Sequence, residues 1–243
     1  MIPFQVKKWP ENSFVLPRYQ THRGYWIEGI QENTLESLRE AKKRGSEMCE
    51  VDVRLSKDGI PVLIHDSDLL RIRDLPDSVY DLTADELMRI AQIPTLERVL
   101  KDPLVTSYLN IEIKTEHFLN DRVERKVAQV VQQTRSQKRV LFSSFNPFSL
   151  WKLSHYLPQV PRALLVTDED DPENSLLLKK MVLAPIVPLH LIHLDEKMVN
   201  PDLIQKLKHQ GLSLGVWTVN QHSRAEELFS LGIDTIITDH IWL

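Results

Sequence analysis

Four short fragments, His22-Arg23-Gly24, Glu50-Val51-Asp52, His65-Asp66 and Glu112-Ile113-Lys114, each stand at or near the end of an apolar run that reads as a β-strand. Between them they hold the groups needed to handle a phosphate. The carboxylates of Glu50, Asp52 and Glu112 could hold a hard divalent cation through oxygen, and a set without cysteine favours Mg2+ or Ca2+ over zinc. A nearby histidine leaves a transition metal open. His22 and His65 could move protons near neutral pH, and Arg23 with Lys114 could pair with an anionic oxygen. Residues two apart in a strand face one side, so Glu50 points with Asp52 and Glu112 with Lys114. Two acids on the inner face of an apolar strand repel and lose hydration, so a counter-charge is expected there. A metal would supply it; salt bridges to Arg23, Arg54 or Lys114 are the alternative.

These fragments need a frame that brings strand ends together. Apolar runs alternate with helically periodic segments along nearly the whole chain, the pattern of βα units around a parallel sheet. Strand candidates are Arg18–His22, Met48–Leu55, Pro61–His65, Leu109–Lys114, Val140–Ser144, Ala163–Val166, Val187–Ile192, Leu214–Val219 and Thr235–Thr238. Helices are expected from the N-cap Asn33 to Arg44, with Gly45 as the stop, and over Ala84–Ala91, Thr95–Lys101, Asp121–Thr134, Pro147–Tyr156, Ser175–Val182, Pro201–His209 and Ser223–Ser230. The fold class is therefore α/β, a TIM-type (β/α)8 barrel. One strand is in surplus, and Asp58-Gly59 explains it. That dipeptide between two alternating runs signals a β-hairpin, so Pro61–His65 should distort the barrel by folding back on Met48–Leu55 and carrying His65 towards Asp52.

The chain of 243 residues has the size of a single barrel domain spanning 1–243, with residues 1–17 as an N-terminal lead-in. A net charge of −4 supplies no broad positive field, which argues against a nucleic-acid partner and requires any anion to be captured locally. No apolar stretch is long enough to span a bilayer, and the opening residues lack a signal-peptide core, so a cytoplasmic location is expected. Cys49 is the single cysteine; it excludes an internal disulfide and, among Met48, Val51 and Val53, reads as a buried inert thiol. His190 and His193 read as structural. Trp217 and Phe145 could wall a substrate's carbon skeleton at the barrel mouth or pack in the core.

The ordered set His22-Arg23-Gly24, Glu32-Asn33-Thr34, Glu50-Val51-Asp52-Val53, Ser56-Lys57-Asp58-Gly59, Pro61-Val62-Leu63-Ile64-His65-Asp66, Leu70-Arg71, Pro94-Thr95-Leu96-Glu97, Asn110-Ile111-Glu112-Ile113-Lys114, Ser144-Phe145, Trp217-Thr218-Val219-Asn220, Gly232-Ile233-Asp234 and Thr238-Asp239 resembles the glycerophosphodiester phosphodiesterase family, a phospholipase C-like phosphodiesterase barrel. The resemblance runs from His22 to Asp239; Gln31 departs from it, standing where many relatives have proline. It implies that Glu50, Asp52 and Glu112 ligate one divalent cation, that His65 is the general acid and His22 the base, and that Arg23 and Lys114 bind the phosphate. Glu32 is expected to orient His22 or Arg23. The implied activity is hydrolysis of a small-molecule glycerophosphodiester to glycerol 3-phosphate and an alcohol. Two alternatives are phospholipase D-type cleavage of lysophospholipid or sphingolipid head groups and a noncatalytic phosphate-binding barrel. The sequence leaves the oligomeric state open.

Overall fold

Every position of the strand Met48–Leu55 is buried, as a barrel strand requires when helices cover one face and the barrel interior the other. The computed structural model describes residues 5–115, 120–168 and 187–242. Eight parallel strands form the barrel: β1 (Tyr19–His22), β2 (Met48–Leu55), β3 (Tyr108–Ile113), β4 (Val140–Ser144), β5 (Arg162–Val166), β6 (Leu191–Asp195), β7 (Ser213–Trp217) and β8 (Thr235–Thr238). Each pairs with the next, and β8 closes onto β1 with Thr238 opposite Thr21. Cys49, Val51 and Val53 join the apolar layer between sheet and helices, with Leu38, Leu96 and Val99. Met48 belongs instead to the barrel floor, with Leu141, Ala163, Leu191 and Phe14. Burial pushes the Cys49 thiol up to about 12, as an inert core thiol requires.

The surplus strand is the hairpin. Pro61–Leu63 pairs antiparallel with β2, Val53 opposite Leu63 and Leu55 opposite Pro61. Regular pairing stops two residues short of the expected His65: the Ile64 amide still donates to the Asp52 carbonyl at 3.0 Å, but the Asp52 amide donates to Asn33 Oδ1 and makes no return bond to the hairpin. His65 therefore leaves the hairpin just above Asp52. Residues beyond it, Leu69, Val79 and Leu87, pack with Val62 and Ile64 in a small separate core and include a short helix, Leu70–Arg73, that the pattern of apolar residues did not reveal.

Two other expectations need correction. The first helix, Leu35–Lys43, is capped by Thr34, not Asn33: the Thr34 hydroxyl accepts from the Ser37 amide, and the Ser37 hydroxyl accepts from the Thr34 amide in return. Asn33 is unavailable because its side chain donates to Asp52 Oδ2 and accepts from the Asp52 amide. The expected strand Val187–Ile192 divides in two: Pro188–Leu189 pairs with Gln5–Val6 of the lead-in, and the barrel strand begins only at Leu191. The remaining expected helices are present within a residue or two, except Ser175–Val182, which lies outside the described residues. After Gln5–Val6, Trp9 and Phe14 cross the barrel floor; Phe14 stacks on Tyr108 with ring centroids 4.5 Å apart. Among the described residues no helix is long and apolar enough to cross a membrane.

Candidate active site

Parallel strands present their C-terminal ends on one side of a barrel, where the following loops can gather side chains around a common mouth. A cavity of about 270 Å³ opens there, lined by His22, Arg23, Glu50, Arg54, His65, Glu112, Lys114, Phe145 and Trp217 among others. The strand register sets the acids side by side: Asp52 faces Glu112 across the β2–β3 pair. One carboxylate oxygen from each of Glu50, Asp52 and Glu112 falls within 4.8 Å of the others. Asp52 does not line the cavity. It is 1% exposed and lies behind the mouth, held by the Asn33 amide at 2.9 Å.

Burial alone would raise the Asp52 carboxyl, but Lys114 and Arg23, with help from His65 and Asn33, hold it well below the usual carboxylate range. The contacts are Lys114 Nζ to Asp52 Oδ1 at 3.4 Å and Arg23 Nε to Asp52 Oδ2 at 3.3 Å, the second an ion-pair approach without hydrogen-bond alignment. Lys114 Nζ also lies 2.6 Å from Glu112. Glu50 is placed differently. Burial, then repulsion from Asp52 and Glu112, pushes its carboxyl well above the ordinary value, and its Oε1 has no hydrogen-bond partner. The alternative of pure salt bridging therefore leaves one buried acid oxygen unanswered, and Arg54 does not answer it, since its Nε and Nη1 go to the His65 carbonyl and the Tyr80 hydroxyl. Three carboxylates with one oxygen unpartnered could hold a divalent cation.

Both histidines are held by carboxylates. His22 Nδ1 lies 2.8 Å from Asp239 Oδ1; a carboxylate only accepts, so the proton is on Nδ1, and Nε2 is turned towards Glu50 Oε2 at 3.9 Å. His65 Nδ1 meets Asp66 Oδ1 at 2.8 Å in the same way. Asp66 continues into a chain of ion pairs: its Oδ2 accepts from Arg71, Arg71 reaches Glu32, and Glu32 accepts from Arg23 Nη1 at 3.0 Å. Of the two options for Glu32, the structure shows contact with Arg23 and not with His22. Despite its burial, Arg71 and Arg23 keep the Glu32 carboxyl below its ordinary value.

A left-handed pair at the end of β1 aims Arg23. Arg23 has φ 56° and Gly24 φ 75°, and a Cβ on Gly24 would fall 2.5 Å from Ser37 Oγ and 2.8 Å from the Ser37 carbonyl carbon. Only glycine fits, and the turn directs the Arg23 amide at Glu50 Oε2, 3.3 Å away. On the opposite wall Phe145 and Trp217 meet edge to face at 5.5 Å, and Lys114 Nζ stands 5.7 Å from the Phe145 ring. The Trp217 indole donates to the His193 carbonyl, which fixes the ring against β6.

Sequence reasoning missed Asp239, Asp66, Arg71, Asn33 and Asn220 as parts of this arrangement. Asn220 donates to Asp239 Oδ2 at 2.6 Å and the Trp26 indole to Oδ1 at 3.3 Å, so three side chains converge on the carboxylate that holds His22. The fragments Trp217-Thr218-Val219-Asn220 and Thr238-Asp239 contained the signal, but their neighbourhood with His22 exists only once β8 has closed onto β1.

The model of the glycerophosphoryl diester phosphodiesterase family matches residues 22–243, from the first site histidine to the last residue. The chain belongs to that family. A glycerophosphodiester phosphodiesterase of Caldanaerobacter subterraneus subsp. tengcongensis is 30% identical over 235 residues, covering 90% of this chain and 92% of the relative. One from Bacillus altitudinis is 29% identical over 234 residues, covering 90% and 92%. Among solved structures, an Oleispira antarctica phosphodiesterase in complex with the product sn-glycerol-3-phosphate superposes with a TM-score of 0.78 at 28% identity, covering 92% of this chain and 93% of that one.

Proposed function

We propose that this family member hydrolyses glycerophosphodiesters to glycerol 3-phosphate and an alcohol, with one divalent cation held by Glu50, Asp52 and Glu112. The observation that carries the reading is the unpartnered Glu50 oxygen within a three-carboxylate cluster, on the wall of the same cavity that His22, His65, Arg23 and Lys114 line. The product bound by the Oleispira antarctica relative supports the substrate class.

Bound by Glu50, Asp52 and Glu112, a divalent cation would supply positive charge to polarise the phosphoryl group and offset the charge building on it. Arg23 presents a planar fork and Lys114 a point charge to the phosphoryl oxygens, a pair suited to a transition state more anionic than the substrate. His22, its proton kept on Nδ1 by Asp239, takes the proton of the attacking hydroxyl on Nε2. The phosphorus–oxygen bond to the alcohol breaks, and His65, entering the step as the imidazolium with Nδ1–H on Asp66, gives that oxygen its Nε2 proton; transfer of the proton taken up by His22 back to His65 through solvent restores both rings for the next turnover. The attacking hydroxyl is either water or the substrate's own glycerol 2-hydroxyl; in the second case a cyclic phosphate forms and water opens it. Phe145 and Trp217 pack against the glycerol carbons.

The test is product identification from glycerophosphocholine, its acylated counterpart and an analogue lacking the glycerol 2-hydroxyl. Release of glycerol 3-phosphate from the first substrate supports the proposal. Turnover of the acylated substrate alone replaces it with a lipid head-group reading, and unchanged turnover of the analogue removes the cyclic route. No turnover by folded, cation-loaded protein leaves a binding role.

A further inference from the structure

A second cavity, of about 620 Å³, lies at the opposite end of the barrel, where the N-terminal strand Gln5–Val6 crosses the start of β5. Among the described residues its lining includes Lys7, Lys8, His155, Arg162 and His190 and no carboxylate. Arg162 is the unusual member. It is 2% exposed, and its Nε and Nη1 are consumed by carbonyls of Pro188, Leu157, Pro158 and Val160. No hydrogen bond engages its Nη2 among the described residues, and Arg162 is one of the residues that line the cavity. A guanidinium buried against carbonyls alone carries an uncompensated charge.

His190, also in the lining, adds an N–H donor. Its Nδ1 accepts from the Arg162 amide at 3.1 Å, so the neutral ring carries its proton on Nε2. Burial, reinforced by the charges of Arg162 and Lys7, lowers this histidine to about 3, so the ring is neutral at physiological pH and both neighbouring charges are positive. The cavity thus combines a nearly buried guanidinium edge, an imidazole and two lysines, with the half-exposed Trp151 at its edge. Several N–H donors lining a concave site with no carboxylate among the described residues suit a small tetrahedral oxyanion.

We propose that this floor cavity binds a small phosphate-class anion, either free phosphate or a phosphomonoester, at a site separate from the catalytic mouth. Arg162 and His190 form its base, and Lys7 and Lys8 close over it from the lead-in. Because Arg162 also holds Pro188, the partner strand of Gln5–Val6, the bound anion ties the lead-in to the barrel floor. The site does not depend on the hydrolytic reading of the mouth.

The two sites can be read in one titration. In the 15N-labelled full chain the indole resonance of Trp151 reports the floor and that of Trp217 the mouth. Inorganic phosphate and sn-glycerol 3-phosphate are titrated separately into wild type and into the Lys7→Glu/Lys8→Glu double variant, which changes only exposed side chains. The expected result is a saturable Trp151 shift with Kd of about 1 mM or tighter, weakened about ten-fold in the double variant, with the Trp217 response unchanged. Saturation by inorganic phosphate identifies a free-phosphate site; saturation by the ester alone identifies a phosphomonoester site. An unmoved Trp151 resonance with both ligands, or equal affinity in the double variant, overturns the proposal.

Discussion

Asp239, just past the last barrel strand, accepts a 2.8 Å hydrogen bond from Nδ1 of His22, the final residue of the first. Barrel closure thereby sets the tautomer of a histidine at the mouth. Asp239→Asn keeps the shape of the side chain but can offer its amide N–H to the ring, which favours the other tautomer. We expect kcat to fall by about 10–100-fold with KM little changed. Steady-state kinetics on a glycerophosphodiester check this; an unchanged kcat would show that the contact does not tune His22.

Glu32, between Arg23 and Arg71, gives a second prediction. Glu32→Gln and Arg71→Ala each release Arg23 from the same chain of ion pairs, so their effects on kcat/KM should overlap. A double-mutant cycle is expected to show the double variant losing less than the product of the single losses. Fully independent effects would mean that Arg71 acts on His65 through Asp66 alone.

The hairpin and the barrel were legible because their signals are local: Asp58-Gly59 between alternating runs, and apolar strands spaced by periodic helices. The same locality explains the misses. Asn33 has the chemistry of a helix cap, yet Asp52, distant in sequence, claims its side chain and passes the cap to Thr34. The run Val187–Ile192 reads as one strand, but its first half pairs with Gln5–Val6, and only this long-range partner reveals the break at His190. Asp239 stood within a recognised fragment, but its contact spans 217 positions. Gly215 is similar: nothing beside it in sequence marks it as necessary.

The interior of the barrel at Gly215 admits no side chain. A Cβ there would lie 2.4 Å from His193 Cδ2 and 2.9 Å from Thr235 Cγ2, both in fully buried residues. Gly215→Ala should therefore destabilise the fold by about 1–3 kcal/mol. Urea unfolding measures the change, and a loss below about 0.5 kcal/mol would show that the His193 ring can move aside.

His193 also links stability to pH. It is fully enclosed with neither ring nitrogen hydrogen-bonded, and burial lowers it from 6.5 to about 3. The folded chain thus holds the ring neutral where the unfolded chain protonates it. Its contribution is fully present above about 6.5 and is lost as pH falls towards 3, by about 1.4 kcal/mol per pH unit. His190, also lowered to about 3, acts in the same direction. Urea midpoints at about pH 7 and about pH 5 should show a shallower acid-side loss in His193→Gln, and independently in His190→Gln, than in wild type. Identical slopes in all three proteins would refute the assignment.

In the proposed reaction, phosphodiester cleavage depends on a cation held by Glu50, Asp52 and Glu112. The direct measurement is glycerol 3-phosphate release from glycerophosphocholine by chelated protein, followed as Mg2+ or Ca2+ is returned and bound metal is counted in the same samples. We predict activity that is absent after chelation, returns in proportion to about one bound cation per chain, and stays absent with little bound metal in Glu50→Gln. Full activity in the chelated protein, or cation-dependent release that survives Glu50→Gln, would contradict the account.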